Sequence, residues 1–361
     1  MSFCKFFDIN HIWVANEYSL QPAKWSSQTV TANPNSAYTI AWICNGIKAE
    51  FTAARSMLDE IHDDFEPILG YDYNVYSRGR IGQHDVVIAR PNGLVGTSTP
   101  IVAMLHSFPD IRIAVMTGIG GGAPSYKHDI RLGDVVVGSP LDTEAVEGGV
   151  FAYNLRKARA GGEVQMVRHL DGPQILVHAV NVLKARYTSA AGNGISETIR
   201  RVVTADSQLD RSYTPPPPDS DILYDSTYIH SDLTKTCAEI CTSPLAKRIR
   251  SPRSAEQENP AIHYGPIATS HLLMTDAKTR DRLSAEKGVL CFEMGSAGLM
   301  ERFPCLVVRG ICDYSDSHKI KAWRSYAAMT AAAYTKDLLA CINPVSLETE
   351  PRIKDRPWLL D

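Results

Sequence analysis

Long apolar runs are missing from this 361-residue chain. None approaches the ~18 residues that a membrane-crossing helix requires, so no membrane partner is expected. The start, Met1-Ser2-Phe3-Cys4-Lys5, lacks the apolar stretch of an export signal, and the expectation is a cytoplasmic protein. An excess of one charge sign is absent too: 37 Lys and Arg against 40 Asp and Glu leave a net charge of −3. That balance argues against a nucleic-acid or anionic-lipid binder. The densest basic cluster, Lys247, Arg248, Arg250 and Arg253, sits among Ser and Pro and reads as a solvated loop. Eight cysteines are scattered without the spacing of a disulfide framework, several inside apolar runs, as reduced and buried thiols would be. Cys237 and Cys241, with His230 nearby, lack the second pair of a zinc site, so no metal is expected.

What is present is alternation. Apolar runs predict strands over 38–44, 85–89, 111–116, 134–138, 262–268, 289–294 and 305–311. Helical periodicity falls between them, over 48–60, 97–108, 173–186, 275–286 and 320–341. Near-continuously apolar strands separated by helices argue for a sheet covered on both faces. Residues 1–36 read as an irregular leader, 37–343 as a single domain and 344–361 as a tail. The polar stretch of about 188–260 carries Pro215 to Pro218, which fit neither a helix nor a central strand, and reads as an insertion. The same alternation resumes beyond it.

Three segments place unusual residues at the ends of apolar strands, where open α/β sheets collect ligands. Thr117-Gly118-Ile119-Gly120-Gly121-Gly122 offers backbone amides that a ligand can approach closely, or else a tight turn. Phe292-Glu293-Met294-Gly295 puts a carboxylate at a strand end, a costly place unless it is paired or working. Asp313, closing Val308-Arg309-Gly310-Ile311-Cys312, is either a proton-transfer group or a cap. His263 reads as a satisfied core histidine, His318 as exposed in a polar turn, and Asp316 as a cap.

These segments, with Asp129–Val137 and Ile262-His263-Tyr264-Gly265, resemble the nucleoside phosphorylase/nucleosidase superfamily over about residues 38–342. The likeness is to its fungal branch, whose members stand alone or front larger signalling proteins. The resemblance implies a three-layer α/β/α fold around a twisted, mixed, partly barrel-like sheet, and a homo-oligomer. It implies cleavage of a nucleoside's N-glycosidic bond through an oxocarbenium-like ribosyl transition state. By match, Asp313 is the acid toward the purine ring nitrogen N7, Met294 packs on the ribose, and Glu293 helps position the nucleophile side. Glu50 matches the family's base for water. Leu273 and Met274 line the base, and Phe292, Gly295, Thr117, Gly118, Ile119 and Gly120 complete the substrate set. No cofactor is implied, and inorganic phosphate enters only if the reaction is phosphorolytic.

Phosphorylases of the superfamily carry an Arg before the glycine cluster, where bidentate contact to phosphate needs it. Here Met116 stands at that position, which favours water as nucleophile. Thr97, Ser98, Arg90 and Arg131 are the candidate phosphate contacts if phosphorolysis holds. Four departures touch the substrate. Gly295 replaces the carboxylate that usually binds ribose hydroxyls, so Gly295→Glu is expected to raise activity on ordinary ribonucleosides. Thr269-Ser270-His271 alters the loop beside the base, and Leu273 replaces a stacking aromatic. The loop from Asn45 to Glu50 carries one extra residue. Two further readings stay open: a scaffold repurposed for carbocation-type chemistry on a phosphorylated or natural-product substrate, and a non-catalytic nucleoside-binding module.

Overall fold

A computed structural model describes residues 34–62, 70–92, 98–139, 149–153, 156–158, 164–166, 170, 172–189, 192–207, 209, 211–253, 260–300 and 303–356. Most of the expected leader lies outside them. The first half of the chain forms β1 (Ile40–Cys44), α1 (Lys48–Ser56), β2 (Glu60–His62), β3 (Val75–Ile81), β4 (His84–Arg90), α2 (Ser98–Ser107) and β5 (Ile113–Gly122). Next come β6 (Val135–Val137), β7 (Val150–Ala152), β8 (Arg156–Ala158), β9 (Val164–Met166), α3 (Gln174–Ser189), α4 (Ile195–Ala205) and α5 (Cys237–Ile240). The rest is β10 (Ile262–Tyr264), β11 (Ile267–Thr269), α6 (Ala277–Lys287), β12 (Cys291–Glu293), α7 (Ser296–Met300), β13 (Leu306–Asp313), α8 (Arg324–Leu339) and α9 (Pro344–Thr349).

Eleven of these strands share one mixed sheet, whose main path runs β10-β6-β13-β5-β1-β4-β3-β2. The path is open at both ends and does not close into a barrel. Its centre, β4-β1-β5-β13, is parallel, and nearly every residue of these strands is buried, as in the continuous apolar runs of a parallel sheet. α8 packs so closely on β13 that a Cβ on Gly310 would overlap the Ala327 carbonyl. The run of alanines along α8 (Ala327, Ala328, Ala331, Ala332 and Ala333) permits that approach, and all five are buried.

The strand carrying the glycines differs most from expectation. The run Gly118–Gly122, for which a tight turn was one of two readings, stays extended as the second half of β5. Neighbouring strands supply what glycine propensity does not: β13 pairs with β5 from Val115 to Gly121. On the other edge, β1 pairs with β5 only as far as Thr117, and β12 joins antiparallel at Gly121. The expected single strand over 262–268 is broken by Gly265-Pro266 into β10 and β11, which pair with different partners. β3 was not anticipated; it forms a hairpin with β4 through the two-residue turn Gly82-Gln83, with Gly82 at φ +56°. The insertion holds α4 and α5, and the expected tail packs down, burying Leu347 and Ile353.

Candidate active site

Where β1 stops and β12 has not yet begun, β5 has backbone amides without a ladder partner on that edge. Glu50, in the first turn of α1, fills the gap: its Oε1 accepts from the Ile119 amide at 2.8 Å. Its Oε2 accepts from the Asn45 amide, also at 2.8 Å. The extra loop residue therefore leaves Glu50 over the glycine run. Glu50 is buried, and burial raises its pKa against the opposing pull of Arg309 and the backbone amides of Ile119, Asn45 and Ile47.

Arg309, in β13 opposite Gly118, is fully buried. Its Nη2 donates to Glu293 Oε2 at 2.5 Å, and Glu293 Oε1 accepts from the Ser296 amide at 3.2 Å and from the Ser296 hydroxyl. Both oxygens of Glu293 are thus committed to holding Arg309 and the turn into α7. Arg309 Nη1 and Nε have no hydrogen-bond partner among the described residues. Gly118 explains how these groups converge: a Cβ there would overlap both Arg309 Nη1 and Glu50 Oε1. Arg309 was not among the residues expected at the site. A cation inside the apolar run Val307–Ile311 was the available signal.

Asp313 lies at the other end of the run. A register shift between Ile311 and Asp313 brings Asp313 opposite Gly121, and such bulges re-aim side chains next to active sites. Asp313 Oδ1 accepts from the Ser315 amide at 2.8 Å, and Oδ2 pairs with Lys319 Nζ at 2.9 Å. Ser315 is the one non-glycine residue with positive φ, +52°, among the described residues, a strained conformation of the kind found at functional sites. Gly118 and Gly121 themselves lie about 10 Å apart along the strand, the first beneath Glu50 and Arg309 and the second beside Asp313 and Ser315. Neither Ser315 nor Lys319 was anticipated.

The remaining candidates divide. Met294 is half-buried and its carbonyl accepts from Asn45 Nδ2 at 3.0 Å, tying the β12 turn to the Glu50 loop. Gly120 packs under Cys291, where a Cβ would overlap the sulfur. Phe292 and Met274 sit in a second apolar cluster with Phe151, with Tyr153 edge-on to Phe292 at 5.6 Å. The side chain of Leu273 is 59% exposed. The Thr117 hydroxyl is turned into the α8 layer, 2.9 Å from Thr335 Oγ1. Arg90, at the end of β4, lies over the Phe51 ring, whereas Arg131 is committed to Asp129 and the Ser251 carbonyl. Thr97 and the side chain of Ser98 lie outside the described residues. Gly295 has φ +107°, so a Glu at this position would strain the backbone, and the expected gain from Gly295→Glu is withdrawn. His263 is satisfied by Asp134 at 3.0 Å, and Asp316 accepts from the His318 amide. His318, expected to be exposed, is buried.

No family model matches the chain. A nucleotide-binding leucine-rich repeat (NLR)-like protein of Hyaloscypha variabilis is 38% identical over 315 residues, covering 86% of this chain. The chain spans 30% of that relative's length. Among solved structures, a 5'-methylthioadenosine/S-adenosylhomocysteine nucleosidase of Neisseria meningitidis, in complex with methylthio-immucillin-A, aligns with TM-score 0.50 at 14% identity. The alignment covers 83% of this chain and 98% of that one. The corresponding S. pneumoniae enzyme aligns with TM-score 0.49 at 16% identity, over 84% of this chain and 100% of its own. The α/β architecture is thus that of the N. meningitidis nucleosidase.

Proposed function

We propose that the chain hydrolyses the N-glycosidic bond of a purine-like nucleoside with a modified sugar. The observation that carries this reading is Glu50: a buried carboxylate with a raised pKa, fixed by two amides beside an unpartnered guanidinium N–H, on a strand stripped of side chains. A base so placed takes a proton from water as the water oxygen bonds to the anomeric carbon. The carbon–nitrogen bond breaks with its electron pair passing to the base. Asp313 in its acid form hands its proton to the purine N7, which makes the nucleobase a better leaving group, and is left as the carboxylate that pairs with Lys319. Arg309 Nη1 donates to the water or to a sugar oxygen, and Glu293 keeps the guanidinium in place.

Two features favour water over phosphate. Met116 is buried where a phosphate-binding Arg would stand, and Arg131 is already paired. The sugar reading rests on Gly295, because Glu293 is turned to Arg309 and Ser296 and holds the guanidinium in place.

The test is chromatographic base release from a panel of ribo-, deoxyribo- and 5'-modified nucleosides, with and without phosphate. We expect release without phosphate, falling ~10²–10⁴-fold in Asp313→Asn. Strict phosphate dependence would overturn hydrolysis. No release by folded protein would overturn nucleoside cleavage altogether and turn the search to non-nucleoside substrates.

A further inference from the structure

Along the sequence, Cys237 and Cys241 lack a second pair of ligands. The fold brings one in: His230 from the insertion and His318 from the loop after β13. One donor atom from each of the four residues lies within 4.8 Å of all the others. We propose that His230, Cys237, Cys241 and His318 bind Zn²⁺ in a closed, structural tetrahedral site.

The distances fit that ion. An ideal tetrahedron with Zn–S of about 2.3 Å and Zn–N of about 2.05 Å has S···N edges of about 3.6 Å. The four edges here run from His230 Nδ1 to Cys241 Sγ at 3.2 Å and Cys237 Sγ at 3.6 Å, and from His318 Nδ1 to the same sulfurs at 3.4 and 3.7 Å. Hydrogen bonding alone does not account for this arrangement. Two thiols carry two protons, so at most two of the four edges can be S–H···N bonds, whereas a cation at the centre satisfies all four.

The imidazoles are also prepared as ligands. His230 Nε2 is 2.9 Å from the Lys235 carbonyl, and His318 Nε2 is 3.1 Å from the Tyr228 carbonyl. A carbonyl only accepts, so each Nε2 carries the proton and each Nδ1 turns a lone pair toward the sulfurs. His318 is held face-on against Tyr224, with ring centroids 3.9 Å apart. Cys237 and Cys241 come from one turn: α5 is four residues long, and a capping box between Thr236 and Glu239 fixes its start. His230, Cys241 and His318 are buried and Cys237 half-buried, in an S₂N₂ donor set that suits zinc. A cavity of about 840 Å³, lined by His230, Cys237, Cys241 and Lys319 among others, gives an ion and a chelator a way in.

The site has structural work to do. Among the described residues, the apolar cluster under this part of the insertion has Tyr224, Cys241 and Ala246 as buried members, with Ile222, Tyr228, Cys237 and Ile240 partly buried against them, a small core for so polar a segment. A metal would pin the insertion to the loop that carries Lys319, the partner of Asp313.

The test is metal analysis of the full chain purified without chelator, and it stands apart from any assay of activity. About one zinc per chain is expected, with Cys237→Ser, Cys241→Ser and His318→Asn each losing it and Cys341→Ser, outside the cluster, retaining it. Should those variants not fold, wild-type protein still decides the matter. Stripping and reloading with Co²⁺ should give the visible bands of a tetrahedral thiolate site, and chelation should add two reactive thiols and lower the melting temperature. Protein that holds no zinc after growth and refolding in its presence, gives no such Co²⁺ spectrum, and shows the same thiol count with and without chelator would overturn the proposal.

Discussion

Glu50 shows how one side chain can cost stability and supply chemistry. Its pKa is raised because burial disfavours the carboxylate more than Arg309 and the backbone amides favour it. The folded state therefore binds the proton more tightly than the unfolded chain, whose Glu titrates near ~4.3. Stability contributed by protonated Glu50 is full below that value and is lost as pH rises through the raised pKa. Activity runs the other way, because the base must be ionised. The acid limb of kcat/KM should lie above the ordinary Glu range, and Glu50→Gln should lose that limb and at least ~10²-fold in rate. A limb that persists in Glu50→Gln would assign it to another group. Of the site residues, Asp313 and the glycines stood out because their types are unusual at strand ends, whereas Glu50, in the first turn of α1, was reached only through the family resemblance. Lys319 and Ser315 were not, since a Lys and a Ser in a polar turn look like any solvated loop until the bulge at β13 folds them over Asp313.

At the scale of elements, the parallel centre of the sheet was readable because strands buried on both faces are continuous apolar runs. β3 was obscured because two of its three buried positions are Ser77 and Gly79, so its alternation carries little apolar signal. The extended glycine half of β5 was hidden for a different reason: its conformation is imposed by β13 and β12 and not by its own residues. The contact between α8 and β13 makes the sharpest prediction here. Gly310→Ala places a methyl into the Ala327 carbonyl, backbone against backbone, with no flexible side chain to yield. Overpacking of this kind costs ~1–3 kcal/mol or more, so the melting temperature should fall by ~2–4 °C per kcal/mol. An unchanged melting curve would mean that α8 rides higher on the sheet than described.

For the whole molecule, the insertion is where reading by composition fell shortest. Its prolines and charges suggested a solvated excursion, yet Arg253 donates to Asp134 and Arg250 to the Ile130 carbonyl and the Tyr314 hydroxyl, bonding it to the body. Pairings between residues so distant in sequence leave no local periodicity to read. Asp134 gathers this side of the molecule, accepting from Arg253, from the Arg131 and Ala261 amides, and from His263. Burial pushes its pKa up, but the hydrogen bonds from Arg253 and His263 prevail and leave it lowered. Its contribution is present above the unfolded Asp value of ~3.9 and is lost as pH falls through the lower folded value. Asp134→Asn should cost ~3–5 kcal/mol at neutral pH and flatten the acid limb of the stability curve, as followed by denaturant titration at several pH values. Equal loss at every pH would show that Asp134 acts by packing alone.

The amide of Ile119 makes its bond to a side chain where its neighbours on β5 bond to strands. That arrangement makes it a spectroscopic gauge. The chemical shift of this single nitrogen-bound hydrogen follows the charge on Glu50, so an ¹⁵N-labelled sample titrated without substrate would read the pKa of the proposed base from one resonance. The same peak should stop moving in Glu50→Gln.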